Sequence, residues 1–282
     1  MKHDPGIAPD PRTTLWRDGI AARSLEGVIE AEVFLDPKTM SCSAAAAAIR
    51  AAPDAGAEQM DQLLFGERFE VLEEEGAWRF GQAARDGYVG FVEAAALQPA
   101  GALPTHRVAA IRTYAYAEAS IKSRASGPYS INSLVTVEAT ERKLAKVTGA
   151  GWMTAAHLAP IGTGEDDWAA VAERFLGAPY LWGGRESLGL DCSGLVQQAQ
   201  FACGRACPRD ADMQQALGAP IDAADFGRGD LVFWQGHVAI GLGEGRILHA
   251  NGHHMAVAIE PLAEAVARIA AGGSEVTAYR RP

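Results

Sequence analysis

The sequence predicts an α+β protein, with two small β-barrels followed by a unit in which helices pack on an antiparallel sheet. Three features of the chain point there. Residues 41 to 162 carry a weak internal repeat filled with short β-like runs. Residues 192 to 202 place apolar side chains at helical spacing, directly after a Gly-broken extended stretch. Residues 230 to 251 read as three strand-like runs separated by turn residues. At 282 residues and 48% hydrophobic content, the chain is long enough for two or three cores.

Residues 1 to 40 carry Asp4, Asp10, Asp18 and Glu26, with prolines at 5, 9 and 11. They contain no uninterrupted apolar stretch of the kind a secretory signal needs. They are expected to form a partly helical arm, centred on Leu15-Trp16 to Leu25, that packs on the other units.

The repeat follows. Ala47-Ala48-Ile49-Arg50 recurs as Ala109-Ala110-Ile111-Arg112, and the Gly90 to Leu97 stretch recurs as Gly151 to Leu158. The offset is 62 residues at the first mark and 61 at the second, which predicts two similar units, 41–100 and 101–162. Phe69–Leu72, Trp78–Phe80, Tyr88–Val92, Leu134–Val137 and Lys143–Val147 read as strands between turn residues, the pattern of a small barrel. Ala44 to Ala48 reads as the start of a packed strand.

In the last unit, 163–282, Cys192 stands where the extended segment from Trp182 gives way to the helical pattern of Leu195, Val196, Ala199 and Ala202. Asp191 or Ser193 can cap that helix. A thiol at a helix N-terminus feels the positive end of the macrodipole, which favours thiolate. The plainer alternative is a small apolar residue at the start of a core helix. Cys203 and Cys207, near the end of the same helix, read as structural.

A thiol nucleophile needs an imidazole, and the imidazole needs a group that fixes its tautomer. If Gly243-Glu244-Gly245 forms a three-residue loop, Leu242 faces Arg246 and His237 sits opposite Asn251. His249 is then the diagonal neighbour of His237 on the same face. A two-residue loop would put the histidines on opposite faces. His237 is therefore the candidate base and His249 its orienter, with Asn251 as the alternative third member. A metal reading of His249, His253 and His254 has little support, because no cysteine or carboxylate falls at a recognised ligand spacing near them. No metal or cofactor is expected.

The ordered set Pro179-Tyr180, Trp182-Gly183-Gly184, Asp191-Cys192-Ser193-Gly194, Gly229-Asp230-Leu231, Gly236-His237-Val238 and His249-Ala250 resembles the NlpC/p60 cysteine peptidases of bacteria, over roughly residues 165 to 282. The resemblance implies a papain-like core and cleavage of wall-peptide stems between γ-D-glutamate and a diamino acid. It implies Cys192 as nucleophile, His237 as base and His249 as third polar residue. It places Tyr180 beside the oxyanion site and Asp191 and Ser193 along the groove. Arg209 occupies the position of a substrate-contacting Arg, although Ala211 and Asp212 stand where relatives carry Ser or Thr. The Gly-aromatic pattern closing each repeat resembles bacterial SH3 domains. Two such barrels without a leader resemble the cytoplasmic dipeptidyl-peptidase branch, which takes murein-derived short peptides with a free N-terminal L-alanine. By motif position, Glu67 and Tyr88 would contact that amine.

Charge and hydropathy narrow the alternatives. The formal charge of −10 argues against binding nucleic acid or an anionic membrane surface, and no run approaches the ~20 apolar residues of a membrane span. Four cysteines without a disulfide-like framework fit a reducing compartment. An amidase or acyl transferase using the same thiol, and a non-catalytic wall-peptide binder, are the competing functions.

Overall fold

The computed structural model describes residues 9–282. The part of the expected arm that falls on residues 1–8 lies outside the described residues, and the rest is not helical. Trp16–Arg17 and Ile20–Ala22 pair antiparallel across Asp18-Gly19, and Val33–Leu35 joins in parallel. Both turn residues take left-handed backbone, with φ of 49° and 81°. This is the two-residue hairpin geometry that Asp-Gly favours, and it takes the place of the helix expected around Leu15 to Leu25. Within this segment helix is limited to one 3-10 turn, Arg23–Leu25.

Lys38 to Pro99 builds a seven-stranded antiparallel sheet whose core includes Cys42, Ile49, Leu63, Phe69 and Val92. His106 to Pro160 builds one sheet of three strands and one of five, packed around Phe65, Val108, Tyr129, Val147 and Met153. The second marks of the repeat fold alike. Val89–Glu93 runs through a 3-10 turn at Ala94–Ala96 into Leu97–Pro99. Gly151–Thr154 does the same through Ala155–His157 into Leu158–Pro160. The first marks diverge: Ala46–Arg50 is a strand, whereas in the second copy the strand begins only at Arg112.

The remaining chain forms a six-stranded antiparallel sheet with four α-helices: α1 (Trp168–Glu173), α2 (Cys192–Ala202), α3 (Ala211–Gln214) and α4 (Leu262–Ala271). Strand alternation assigns the two faces. Leu231, Phe233, Val238, Ile240 and Leu248 pack against α1 and α2, while Val232, Trp234, Ala239 and Ile247 pack against α4. All eleven residues of α2 are buried. Asp191 caps the helix, its side chain accepting from the Gly194 N–H at 2.8 Å. Gly194 itself is required by close approach, because a Cβ there would lie 2.3 Å from the Gly184 carbonyl oxygen.

Candidate active site

His237 and His249 belong to the strands His237–Gly243 and Arg246–Asn251. Their connection is not the expected three-residue loop. Gly243 pairs with Arg246 across Glu244-Gly245, and a bulge lies between Gly241 and Gly243. The extra residue of the bulge offsets the shorter loop, so Ile240 still faces Leu248 and Gly241 faces Ile247. Both imidazoles therefore reach one face, the one that carries Ala239 and Ile247, with His237 Nε2 2.9 Å from His249 Nδ1. The His237 ring also packs against Trp234, with centroids 5.7 Å apart. Asn251 is engaged elsewhere: its Oδ1 accepts from the His254 backbone N–H at 2.8 Å and lies 3.0 Å from His254 Nδ1.

A fourth member, not found from the sequence, orients the pair. Glu260 Oε1 lies 2.7 Å from His249 Nε2, and both Glu260 oxygens bond the Arg268 guanidinium at 2.6 Å. These hydrogen bonds hold the Glu260 carboxyl below its ordinary range against the opposing effect of burial. An ionised carboxylate only accepts, so His249 donates from Nε2 and its Nδ1 carries a lone pair. His237 must then donate from Nε2, which leaves its Nδ1 free to take a proton. Glu260 was legible in principle. Ile247 pairs with it, which makes it the diagonal neighbour of His249 on the next strand. His249, His254 and Glu260 could gather ligand atoms within 4.8 Å, but Arg268 neutralises the carboxylate that a cation would need.

The thiol sits at the start of α2 and shares a groove of about 300 Å³ with Gly236, Asp191, Tyr88, Trp182 and Asp210. No hydrogen bond joins it to His237 among the described residues. The flanking residues of His237 do meet it, Gly236 in the groove wall and Val238 through its backbone N–H. Burial pushes the thiol up to about 12, against smaller downward effects from that N–H and from Arg209. The expected depression by the helix start is thus outweighed in the resting structure. Burial likewise lowers His237 to about 3 and His249 to about 4. Both imidazoles are neutral at physiological pH, and His237 Nδ1 carries a lone pair. Tyr180 is half-buried and packs against the core that contains Cys192.

Arg209 and Glu67 are placed differently from the expectation that they touch substrate. Arg209 is 1% exposed and fully committed. It bonds Asp191 at 2.6 Å, Asp61 at 2.7 Å and the Ser193 hydroxyl at 2.8 Å. Glu67 is also 1% exposed and does not line the groove. Its oxygens accept from Arg85, Arg185 and the Leu64 N–H. Both belong to one buried row of alternating charge that runs Arg85, Glu67, Arg185, Asp61, Arg209, Asp191. A buried guanidinium needs a counter-charge, and the two units on either side of this row supply each other's. Asp191 and Ser193 do line the groove, Asp191 also accepting from the Gly183 N–H at 2.9 Å.

Tyr88 lines the groove too, its hydroxyl 3.2 Å from Asp210 Oδ2. The same end is walled by Arg12, which the sequence did not single out. Arg12 bonds Asp10, Asp210 and Asp212 at 2.7 to 2.9 Å. Three carboxylates around one guanidinium leave this end acidic.

The protein thus has an α+β unit in which a cysteine leads a buried helix and paired histidines stand on the antiparallel sheet. Residues 177–269 match the NlpC/P60 family, and residues 49–97 match the bacterial dipeptidyl-peptidase SH3 domain. The chain is 30% identical over 227 residues to a γ-D-glutamyl-L-lysine dipeptidyl-peptidase of Bacillus subtilis, covering 73% of this chain and 76% of that protein. It belongs to the NlpC/P60 family, whose members are peptidases. Over 84 residues it is 40% identical to dipeptidyl-peptidase 6 of Lysinibacillus sphaericus, which covers 29% of this chain and 30% of that one. The fold is that of an NlpC/P60 family protein from Bacillus cereus, with a TM-score of 0.75 at 21% identity over 86% of this chain and 99% of that one.

Proposed function

We propose that this protein is a cysteine peptidase that hydrolyses the γ-D-glutamyl–diamino acid bond of short murein peptides bearing a free N-terminal L-alanine. The observation that carries the reading is the hydrogen-bonded row His237–His249–Glu260, whose outer ring directly precedes Val238, the residue whose backbone N–H meets the Cys192 thiol. Cys192 Sγ attacks the γ-carbonyl carbon as its proton passes to His237. The Cys192 N–H, one of the first-turn donors that a helix cannot satisfy internally, receives the oxyanion with Tyr180 nearby. His237 then protonates the leaving amine, and the tetrahedral adduct collapses to the thioester as the C–N bond breaks. Water, deprotonated by His237, attacks the thioester and releases the dipeptide acid and the thiol.

Two further features support the specificity. The relatives named above are dipeptidyl-peptidases, one of them for γ-D-glutamyl-L-lysine. The acidic groove end at Tyr88, Asp210 and Asp212 suits an ammonium group. In this reading residues 41–100 and 101–162 are both SH3-like barrels in front of a peptidase unit at 163–282. Four free cysteines suit a cytoplasmic setting for recycling of wall peptides.

The test is hydrolysis of L-Ala-γ-D-Glu-diaminopimelate, followed by chromatography for released L-Ala-D-Glu. Cleavage is expected for the native chain and not for Cys192→Ala, and N-acetylation of the peptide is expected to block it. Turnover surviving in Cys192→Ala overturns the cysteine mechanism, and equal rates on the acetylated peptide overturn the free-amine requirement.

A further inference from the structure

A second cavity, of about 460 Å³, opens where the Lys38–Pro99 sheet, the His106–Pro160 sheets and the C-terminal part of α2 meet. It shares no lining residue with the Cys192 groove. Leu103, Pro104, Leu134, Ile161 and Phe201 give it apolar walls, and Arg68, Arg85 and Arg107 also line it. Three guanidinium groups around one apolar cavity are out of keeping with a chain of net charge −10.

Their counter-charges are few. Among the described lining residues Glu67 is the one carboxylate, and it is shared between Arg85 and Arg185. Arg107 is 6% exposed and bonds only backbone carbonyls: Ala202 at 2.9 Å, Thr163 at 3.4 Å and Val108 at 3.5 Å. Glu165, the acid that acts on it through space, bonds Arg174 instead. Arg68 reaches only the Gly101 carbonyl, at 3.3 Å. Arg85 lies over the Phe201 ring, 4.2 Å from its centroid. Burial lowers both Arg85 and Arg107 from the ordinary guanidinium range. A buried charge held by carbonyl dipoles alone gains from an incoming anion.

We propose that this cavity binds a small amphipathic carboxylate, with its apolar body against Leu103, Ile161 and Phe201 and its anion on Arg107 and Arg85. The volume is that of a small-molecule pocket with apolar walls and a few convergent polar groups. A planar two-oxygen anion matches the guanidinium fork. The apolar walls give no compensation to a fully hydrated inorganic ion.

Isothermal titration of the full chain with 2-naphthoate tests this, with 2-naphthalenemethanol as the neutral isostere and inorganic phosphate as competitor. Naphthoate is expected to bind saturably, and the neutral alcohol about tenfold or more weaker. Arg107→Gln is expected to weaken naphthoate by a similar factor. Because Arg107 is buried and that variant can lose its fold, Ala84→Trp is the second variant. Ala84 is exposed on the cavity wall, so an indole there fills the space and leaves the arginines in place. Loss of binding in Ala84→Trp with wall-peptide hydrolysis unchanged supports the site. Absence of saturable naphthoate binding up to about 1 mM, equal affinity for the alcohol, phosphate competing as well as naphthoate, or unchanged affinity in Ala84→Trp overturns it.

Discussion

Glu260 lies 2.7 Å from His249 Nε2 and so determines which nitrogen of His237 carries a proton, although it does not touch His237. The carboxylate accepts from His249, His249 accepts from His237, and the outer nitrogen of His237 is left as a base. Glu260→Gln breaks this logic, because an amide can present N–H to His249 and invert both tautomers. The expected outcome is a kcat lower by about 10²-fold with KM little changed. Steady-state kinetics on the γ-D-glutamyl substrate checks it, and a loss under about twofold would show that the tautomer does not depend on Glu260.

Arg209 is the second pivot, since it holds the helix cap Asp191 and the Asp61 carboxylate at once. Arg209→Met leaves Asp191 without a guanidinium and Asp61 with Arg185 alone. Urea unfolding is expected to show a loss of about 3–5 kcal/mol. Asp191→Asn keeps a capping oxygen and is expected to cost less. A small change in Arg209→Met would mean that the row of charges contributes little to stability.

Glu67 and Tyr88 are expected to separate cleanly. Tyr88→Phe removes a hydroxyl from the acidic groove end, and KM for the free-amine peptide is expected to rise about fivefold, the equivalent of about 1 kcal/mol. Glu67→Gln is expected to lower the unfolding midpoint with KM unchanged. A KM increase confined to Glu67→Gln would restore it as the amine contact.

Acid stability follows from the two imidazoles. Their folded values, about 3 and about 4, lie below the ordinary histidine value of 6.5. As pH falls through 6.5 the unfolded chain binds protons that the folded chain refuses, so stability is lost from 6.5 down toward 4 for His249 and toward 3 for His237. Wild type is expected to lose more unfolding free energy over that interval than the double variant His237→Gln/His249→Gln. Parallel pH profiles would show that the imidazoles are not held neutral by burial.

Much of this was readable before the fold was known, for specific reasons. The start of α2 was legible because capping and 3.6-residue periodicity are local. The pairing of His237 with His249 was reached through a three-residue loop, while the chain uses a two-residue loop and a bulge. Loop length alone could not distinguish those routes, since both give the same register at Ile240. Glu260 was missed because its strand was not placed in register, although its diagonal relation to His249 follows once it is. Glu67 and Arg209 looked like substrate contacts because sequence carries the position of a charge but not its partner 118 or 148 residues away. The Asp18-Gly19 hairpin carries a local turn signal that the expected helical arm around Leu15 to Leu25 leaves out.

The shared row of charges also bears on how the chain can be dissected. A fragment beginning after Pro160 keeps every residue of the proposed proton relay, yet it abandons Asp61 and Glu67. Arg185 would lose its carboxylate partners and Arg209 one of its two, and the surface they share with the Lys38–Pro99 sheet would open to water. Excising the peptidase unit therefore removes the acids that balance Arg185, and its transplantation onto another scaffold gains from carrying the Lys38–Pro99 sheet along.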